Sequence, residues 1–432
     1  MSRAMKTSKI PFAPQIPETW REIPNRFLFL EHSSKVGEQW KEYQLLSLTT
    51  SGVKEKNIND TGGKVPDSYD NYQTVEKGDM VFCLFDLDCS AVFSGLSSYN
   101  GMITSAYDVF RTNEKYLDNT YARFWFDYVF SRRYYKMFSK NIRYTITTDV
   151  FKSIYTPCPP IAEQKRIGAF LDNKCGEIDE MISLQEKIVE ELKAYKQSVI
   201  TEAVCRGLNP NVQMKDSGIE WVDSIPSHWA EVRFYKVNYI RGRLGWKGLK
   251  AEEYTETGYP FLSAFNLISD KVSWKELNFI SQERYDESPE IKLSVGDILV
   301  VKDGAGIGKC ARIDSLPMGE ATVNSSLAVI TPNNRMLYTF QYYYMLSTPF
   351  QHIIWLLKIG MGVPHLTQEN MHDILETCPP IEEQEQISNY LDEKCNEIDA
   401  LISVKQSKID ALKEYKKSII YEYITGKKEV NG

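Results

Sequence analysis

The sequence predicts an α+β protein with a pseudo-twofold internal repeat: two globular mixed α/β domains, each followed by a long helix that pairs with the other. Three observations lead there. A stretch that opens at Cys158-Pro159-Pro160-Ile161 and ends near Gly207 returns as Cys378-Pro379-Pro380-Ile381, ending near Gly426. Both copies carry one apolar heptad seam. A shorter motif, Ile16-Pro17-Glu18-Thr19-Trp20, returns as Ile225-Pro226-Ser227-His228-Trp229, so the order motif, domain, helix occurs twice.

The domain bounds that follow are 1–156 for the first globular domain and 157–210 for the first long helix. A linker at 211–224, the second globular domain at 225–376 and the second long helix at 377–432 complete the chain. Residues 1 to about 15 read as a loose arm. The first domain carries short β-rich runs at 43–50, 80–85, 91–93 and 102–106, separated by turn signals such as Thr61-Gly62-Gly63 and Asn100-Gly101. An aromatic helix is predicted at 120–138. The stretch from Asn209 to Ser224 carries Pro, Asn, Asp and Gly and reads as a linker, too short to separate the halves as independent beads. The second domain has the same grammar, with strands predicted at 261–263, 298–302, 308–313 and 326–331 and an aromatic helix at 339–357. Val295-Gly296-Asp297 matches Lys77-Gly78-Asp79, but the domain interiors otherwise match poorly.

In the helices, Glu163-Gln164, Leu171-Asp172, Glu177-Ile178-Asp179 and Tyr195-Lys196 recur without a gap as Glu383-Gln384, Leu391-Asp392, Glu397-Ile398-Asp399 and Tyr415-Lys416. Each proline pair forces extended backbone before its helix begins. Gly207, followed by Pro210, is a stop signal. The seam runs through Leu171, Ile178, Ile182, Val189, Leu192 and Val199, and again through Leu391, Ile398, Ile402, Ile409, Leu412 and Ile419. It is interrupted by Gln185 and Lys196 in one copy and by Lys405 and Lys416 in the other. A narrow seam on a charged helix requires a partner helix, and polar seam positions fix register. The seam leaves the direction of pairing open. A helix of about 33 residues would extend roughly 50 Å at 1.5 Å per residue, the length of a spacer.

Composition narrows the function. With 432 residues, 42% hydrophobic and 25% charged, the chain is a globular protein of two or three cored domains. No apolar run approaches the roughly 20 residues that span a bilayer, and the polar, basic start lacks a signal-peptide core, so a cytoplasmic protein is expected. The eight cysteines are scattered without metal-ligand spacing and read as small packing residues. A net charge of −7 weighs against nucleic acid as a partner, although the placement of the cations matters more than their sum.

No motif assigns an active site. In Gly304-Ala305-Gly306-Ile307-Gly308-Lys309, Asp303 stands where a phosphate loop needs its first Gly, Cys310 where it needs Ser or Thr, and strand-like residues follow. The Cys-Pro-Pro-Ile segments lack the polar and aromatic residues of an adenine-methylating motif. The expectation is a protein without metal, cofactor or catalytic residues of its own. The positive signal is basic residues mixed with aromatics and glycines: Arg132, Arg133, Lys136 and Arg143 around the first aromatic helix, then Arg241, Arg243, Lys247, Lys302, Lys309 and His365 on loops of the second domain. Such residues bind phosphates and read guanine edges.

Taken together, Cys-Pro-Pro-Ile-(Ala/Glu)-Glu-Gln, Leu-Asp-x-Lys-Cys-x-Glu-Ile-Asp, Leu-Lys-x-Tyr-Lys-x-Ser and Ile-Pro-x-x-Trp, each present twice, resemble the specificity subunits of type I restriction–modification enzymes over essentially the whole chain. The resemblance implies two target-recognition domains, each reading half of a bipartite, asymmetric site in double-stranded DNA. It also implies an antiparallel coiled coil that acts as a ruler and docks two methyltransferase subunits, with restriction–translocase subunits joining the complex. S-adenosylmethionine, ATP and Mg²⁺ would then be cofactors of those partners, and this chain would be no enzyme. In the first domain, Phe82-Cys83-Leu84-Phe85-Asp86-Leu87-Asp88 departs from the family by lacking basic residues in this strand-turn. The competing reading is a coiled-coil adaptor that binds proteins and recognises no DNA.

Overall fold

The computed structural model describes residues 3–58, 68–139, 144–219, 221–243, 249, 251–304, 306–359 and 366–430. It divides into two compact units, Met1–Gln185 with Ser407–Gly432, and Glu186–Gln406. Each unit therefore holds one globular domain, the first part of the helix that follows it, and the last part of the other long helix.

In the first unit, strands β1 (Phe29–Glu31), β2 (Met80–Phe82), β3 (Ser94–Leu96) and β4 (Asp108–Thr112) form an antiparallel sheet in the order β1-β4-β2-β3. Helix α1 (Asn119–Ser131) starts where the Asp118 side chain accepts the backbone N–H groups of Thr120 and Tyr121. It joins an aromatic core in which Phe82 meets Phe29 at 5.4 Å and Phe126 at 5.0 Å, both edge to face. The aromatic helix expected through Phe138 ends early, because Arg133 takes a left-handed φ of 55°. The arm expected to be loose is ordered. Met5–Thr7 pairs with Gln15–Pro17, and the loop between them buries Ile10, Phe12 and Ala13 in the domain core. Three apolar residues in a polar arm are enough to anchor it. The first long helix, α2 (Ile161–Arg206), begins in this unit.

In the second unit, β5 (Asn238–Arg241), β6 (Ile298–Val301), β7 (Cys310–Arg312) and β8 (Leu327–Pro332) pair in the order β5-β8-β6-β7, again all antiparallel. The order and sense are those of the first unit, so domains whose interiors match poorly in sequence share one sheet. Here Lys271–Val272 and Leu267–Ile268 extend it. The aromatic helix expected at 339–357 is two helices, α3 (Tyr338–Leu346) and α4 (Thr348–Ile359). The break falls at Ser347, which takes extended backbone, and Pro349, lacking an N–H, is accommodated in the first turn of α4 rather than inside a continuous helix. The stretch read as a linker contributes strand Met214–Ile219, paired with Val222–Pro226. It is the counterpart of the N-terminal hairpin.

The long helices, α2 with 46 residues and α5 (Ile381–Ile424) with 44, start directly after their proline pairs and exceed the expected length. Gly168 and Gly176 do not interrupt α2. A Cβ at Gly168 would sit 3.1 Å from Thr120, so the bare backbone lets α1 approach. Direction is settled inside each unit. In the first, Phe170 meets Tyr423 at 4.5 Å and Asp179 bonds Lys416 at 2.7 Å, so rising numbers on one helix face falling numbers on the other. In the second, Lys196 bonds Asp399 at 2.9 Å. The segments are antiparallel, and the lysines that interrupt the seam join the helices through the Asp of the Glu-Ile-Asp motif. Leu171, Ile178, Ile182, Val189, Val199, Leu391, Ile398, Ile409 and Ile419 are buried, and Leu192, Ile402 and Leu412 half-buried.

The remaining motifs lock domain to helix identically in both units. Trp20 Nε1 donates to Glu163 at 3.1 Å, and Trp229 Nε1 to Glu383 at 2.9 Å. Gln164 accepts the Asp118 N–H at 2.8 Å, and Gln384 the Leu337 N–H at 2.7 Å, which seats each aromatic helix. Gly207 (φ 74°) and Gly426 (φ 73°) end the helices against those tryptophans. An added Cβ would come within 3.1 Å of Trp229 and 3.0 Å of Trp20, so both the backbone conformation and the space require glycine.

Candidate nucleic-acid interface

Each sheet is organised around one buried carboxylate. Asp79 and Asp297 are fully buried beside glycine turns, and each accepts the N–H of the residue three before it, Glu76 at 2.8 Å and Ser294 at 2.7 Å. A buried carboxylate needs a cation. In the first unit Arg111 on β4 supplies it, through Nε at 3.1 Å and Nη2 at 3.0 Å, with His32 Nδ1 at 3.5 Å just after β1. In the second unit Arg241 on β5 supplies it, Nη2 to Asp297 at 2.7 Å, while Thr331 on β8 donates at 2.5 Å. Register makes Thr331 the counterpart of Arg111 and Arg241 that of His32, since Phe110 faces Met80 as Ile330 faces Ile298.

This placement changes the reading of Arg241. Its Nε and Nη2 also reach Thr331, and Nη1 reaches the carbonyls of Glu290 at 3.1 Å and Lys292 at 2.9 Å, so the guanidinium is engaged inside the domain and has no N–H left for a base. Arg243 likewise turns inward, its side chain 4% exposed and 3.9 Å from Glu287. Both were expected on a positive surface run. Their alternation with glycine in sequence conceals that they face the buried Asp297 and the half-buried Glu287. Arg143, Lys247 and His365 lie outside the described residues.

The remaining candidates gather at equivalent loops. After β2, the acidic turn through Asp86 and Asp88 is held by residues just past α1: Arg133 Nη1 donates to Leu87 O at 2.8 Å and Ser90 O at 3.1 Å, and Lys136 pairs with Asp88. The cations that this strand-turn lacks in sequence reach it from the segment that follows α1. Arg132 is exposed beside them. After β6 comes the glycine turn, where Gly308 N–H returns to Val301 O at 2.9 Å and strand β7 follows, with no helix opening as a phosphate loop requires. Gly308 has φ 90°, and a Cβ there would lie 2.9 Å from Ile354 on α4. Lys302 and Lys309 flank this turn. Arg312, close to them in sequence, sits at the far end of β7, paired with Asp392 at 2.8 Å and Asp314 at 2.9 Å.

Asn324 and Ser326 belong to the same edge, because Lys302 N–H donates to Ser326 O at 2.9 Å. Neutral groups of this kind carry no charge signal in the sequence. Beneath the sheet, Glu376 accepts from Asn238 at 3.0 Å and Gln341 at 2.7 Å, and burial raises its carboxyl to about 8. At the equivalent place the first unit has the neutral Thr156, which donates to Asn25 at 2.7 Å. Burial likewise pushes the thiols of Cys158 and Cys205 up to about 12 and those of Cys175 and Cys395 to about 11, as inert packing groups. Among the described residues no group of three or more His, Cys, Asp or Glu is placed to hold a metal, and no helix is long and apolar enough to cross a membrane.

Comparison with known proteins agrees with this arrangement. Residues 245–414 match the family described as the type I restriction modification DNA specificity domain. The chain is 26% identical to the type I restriction enzyme MjaVIII specificity subunit of Methanocaldococcus jannaschii, over 64% of this chain and 63% of that one. It is 25% identical to the type I restriction enzyme EcoBI specificity subunit of Escherichia coli, over 54% of this chain and 49% of that one. The chain thus matches less than two thirds of these relatives' own length. A solved chain from work described as the structural basis of complex assembly and conformational transition of the type I R-M system superposes with a TM-score of 0.70 at 16% identity. The overlap covers 96% of this chain and 99% of that one, a likeness of fold.

Proposed function

We infer function from one premise, that this chain belongs to the specificity subunits of type I restriction–modification enzymes, and propose that each unit reads one half of a bipartite, asymmetric site in double-stranded DNA. Lys302 and Lys309 in the second unit, and Arg132, Arg133 and Lys136 in the first, are the cations assigned to that contact. The paired helices set the gap between the half-sites and dock two methyltransferase subunits, which restriction–translocase subunits join. S-adenosylmethionine, ATP and Mg²⁺ act on those partners, and this chain supplies the address without catalysis, in the cytoplasm where the DNA is.

One observation supports this reading above the others: an identical sheet order and identical helix locks recur around loops that differ. Reading two unlike half-sites from one frame requires that combination. Phosphate contacts release counterions, so duplex affinity of the reconstituted complex should fall linearly with log salt, with a slope of about −0.9 per phosphate neutralised. A flat profile would reassign the chain to a coiled-coil adaptor that binds protein alone.

A further inference from the structure

We propose that Phe265 is a base-stacking wedge, the side chain that the second unit sets against a base step of the target duplex. The proposal rests on the DNA-recognition reading and adds a residue and a mode of contact to it. Phe265 is 92% exposed, against 64% or less for every other exposed large apolar side chain among the described residues. Its turn is firmly built. Asn266 Oδ1 accepts both the N–H and the hydroxyl of Ser263, at 2.9 and 3.2 Å, while Asn266 N–H returns to Ser263 O at 2.9 Å. Ser273 N–H closes on Asn266 O at 2.7 Å. Leu262 and Leu267 on either side are buried, as is Asn266 itself. A turn anchored this way holds the ring in water, away from the core, where its faces are open to a flat partner.

Its surroundings point to nucleic acid. Asn324 N–H donates to Leu262 O at 2.8 Å, and Asn324 Oδ1 takes the N–H and hydroxyl of Ser326 at 3.1 and 2.6 Å. Ser326 O then takes the Lys302 N–H. Lys302 Nζ and Gln368 Nε2 would lie 3.9 and 3.2 Å from a Cβ at Gly242. An aromatic ring, neutral hydrogen-bonding groups and a cation thus follow one another along an edge. Apolar wedges with polar and basic flanks unstack base steps in this way, and a protein-docking patch would surround the ring with apolar neighbours. Along the chain the ring is flanked by Ser263, Ala264 and Asn266, with Ile268, 58% exposed, as the one large apolar side chain exposed beside the turn among the described residues of this segment.

The test uses the complex reconstituted with methyltransferase subunits and a duplex carrying the site mapped from methyladenine in the source cell, with 2-aminopurine placed singly along the half-site. The wild-type complex should raise fluorescence at one step. Phe265→Ala should abolish that signal and weaken binding at least tenfold, within the range of about 5–150-fold for losing one aromatic stack, while Phe265→Trp retains both. Thermal melting should leave Phe265→Ala unchanged. If the wild-type complex binds its site with salt dependence and Phe265→Ala matches it in affinity and fluorescence, the wedge is wrong and DNA recognition stands. Loss of methyltransferase assembly in Phe265→Ala would make the ring a protein contact and overturn the wedge. A wild-type complex without site preference overturns both.

Discussion

Asp79 and Asp297 occupy equivalent places in the two units, yet one is neutralised by Arg111 from β4 and the other by Arg241 from β5. Nearby, the first unit satisfies a buried position with Thr156 and Asn25, and the second with Glu376, Asn238 and Gln341. Against this drift stand the helix contacts, in which Trp20 and Trp229, or Lys416 and Lys196, meet the same partner type in both units. The difference shows what each region must preserve. A sheet requires that its buried carboxylate be cancelled and accepts the cation from either neighbouring strand. A lock between helix and domain has one geometry, and either half loses it if one member changes.

Breaking the carboxylate pair has the largest expected effect. Asp297→Ala strands the Arg241 guanidinium in the domain and should cost about 3–5 kcal/mol in chemical denaturation. Asp79→Ala should cost less, because Arg111 is 38% exposed and also bonds Glu76 at 2.8 Å. The comparison sharpens in a rescue. Arg241→His should destabilise the second unit, and adding Thr331→Arg, which rebuilds the first unit's arrangement, should restore a measurable part.

Next comes pH. The Glu376 carboxyl is raised to about 8 from an ordinary value near 4.5, so the folded state holds a proton that the unfolded chain releases. Its contribution is complete below the unfolded value and is lost as pH rises through about 8, a decline on the order of a few kcal/mol. Glu376→Gln should flatten that decline in melts of the intact chain, whereas Thr156→Val should leave it in place. The smallest effects belong to the cross-helix pairs. Double-mutant cycles should give about 0.5–1 kcal/mol for Lys196 with Asp399. Lys416 with Asp179 should give less, since its lysine is 31% exposed against 16%.

These contrasts explain what could be read in advance. Repetition was visible wherever both members of a contact repeat, as in the helices, the proline openings and the tryptophan motifs. The shared sheet was hidden because its strands keep only buried character, and β1 and β5 match in register while differing in every residue. Arg241 and Arg243 looked like surface cations because a lone sequence does not show which side of a strand edge faces a carboxylate. Phe265 is silent in the sequence because an exposed ring carries no periodic or charged signal.

On the proposed function, the helices set the gap and the globular domains set the half-sites. Removing one heptad from each helix, between the Asp179–Lys416 and Lys196–Asp399 pairs, shortens the rod by about 10 Å at 1.5 Å per residue, or about three base pairs at 3.4 Å each. Mapping genomic methyladenine in cells carrying this variant should show both half-sites unchanged and the gap shorter by that amount. An unchanged gap, or an altered half-site, would contradict the claim.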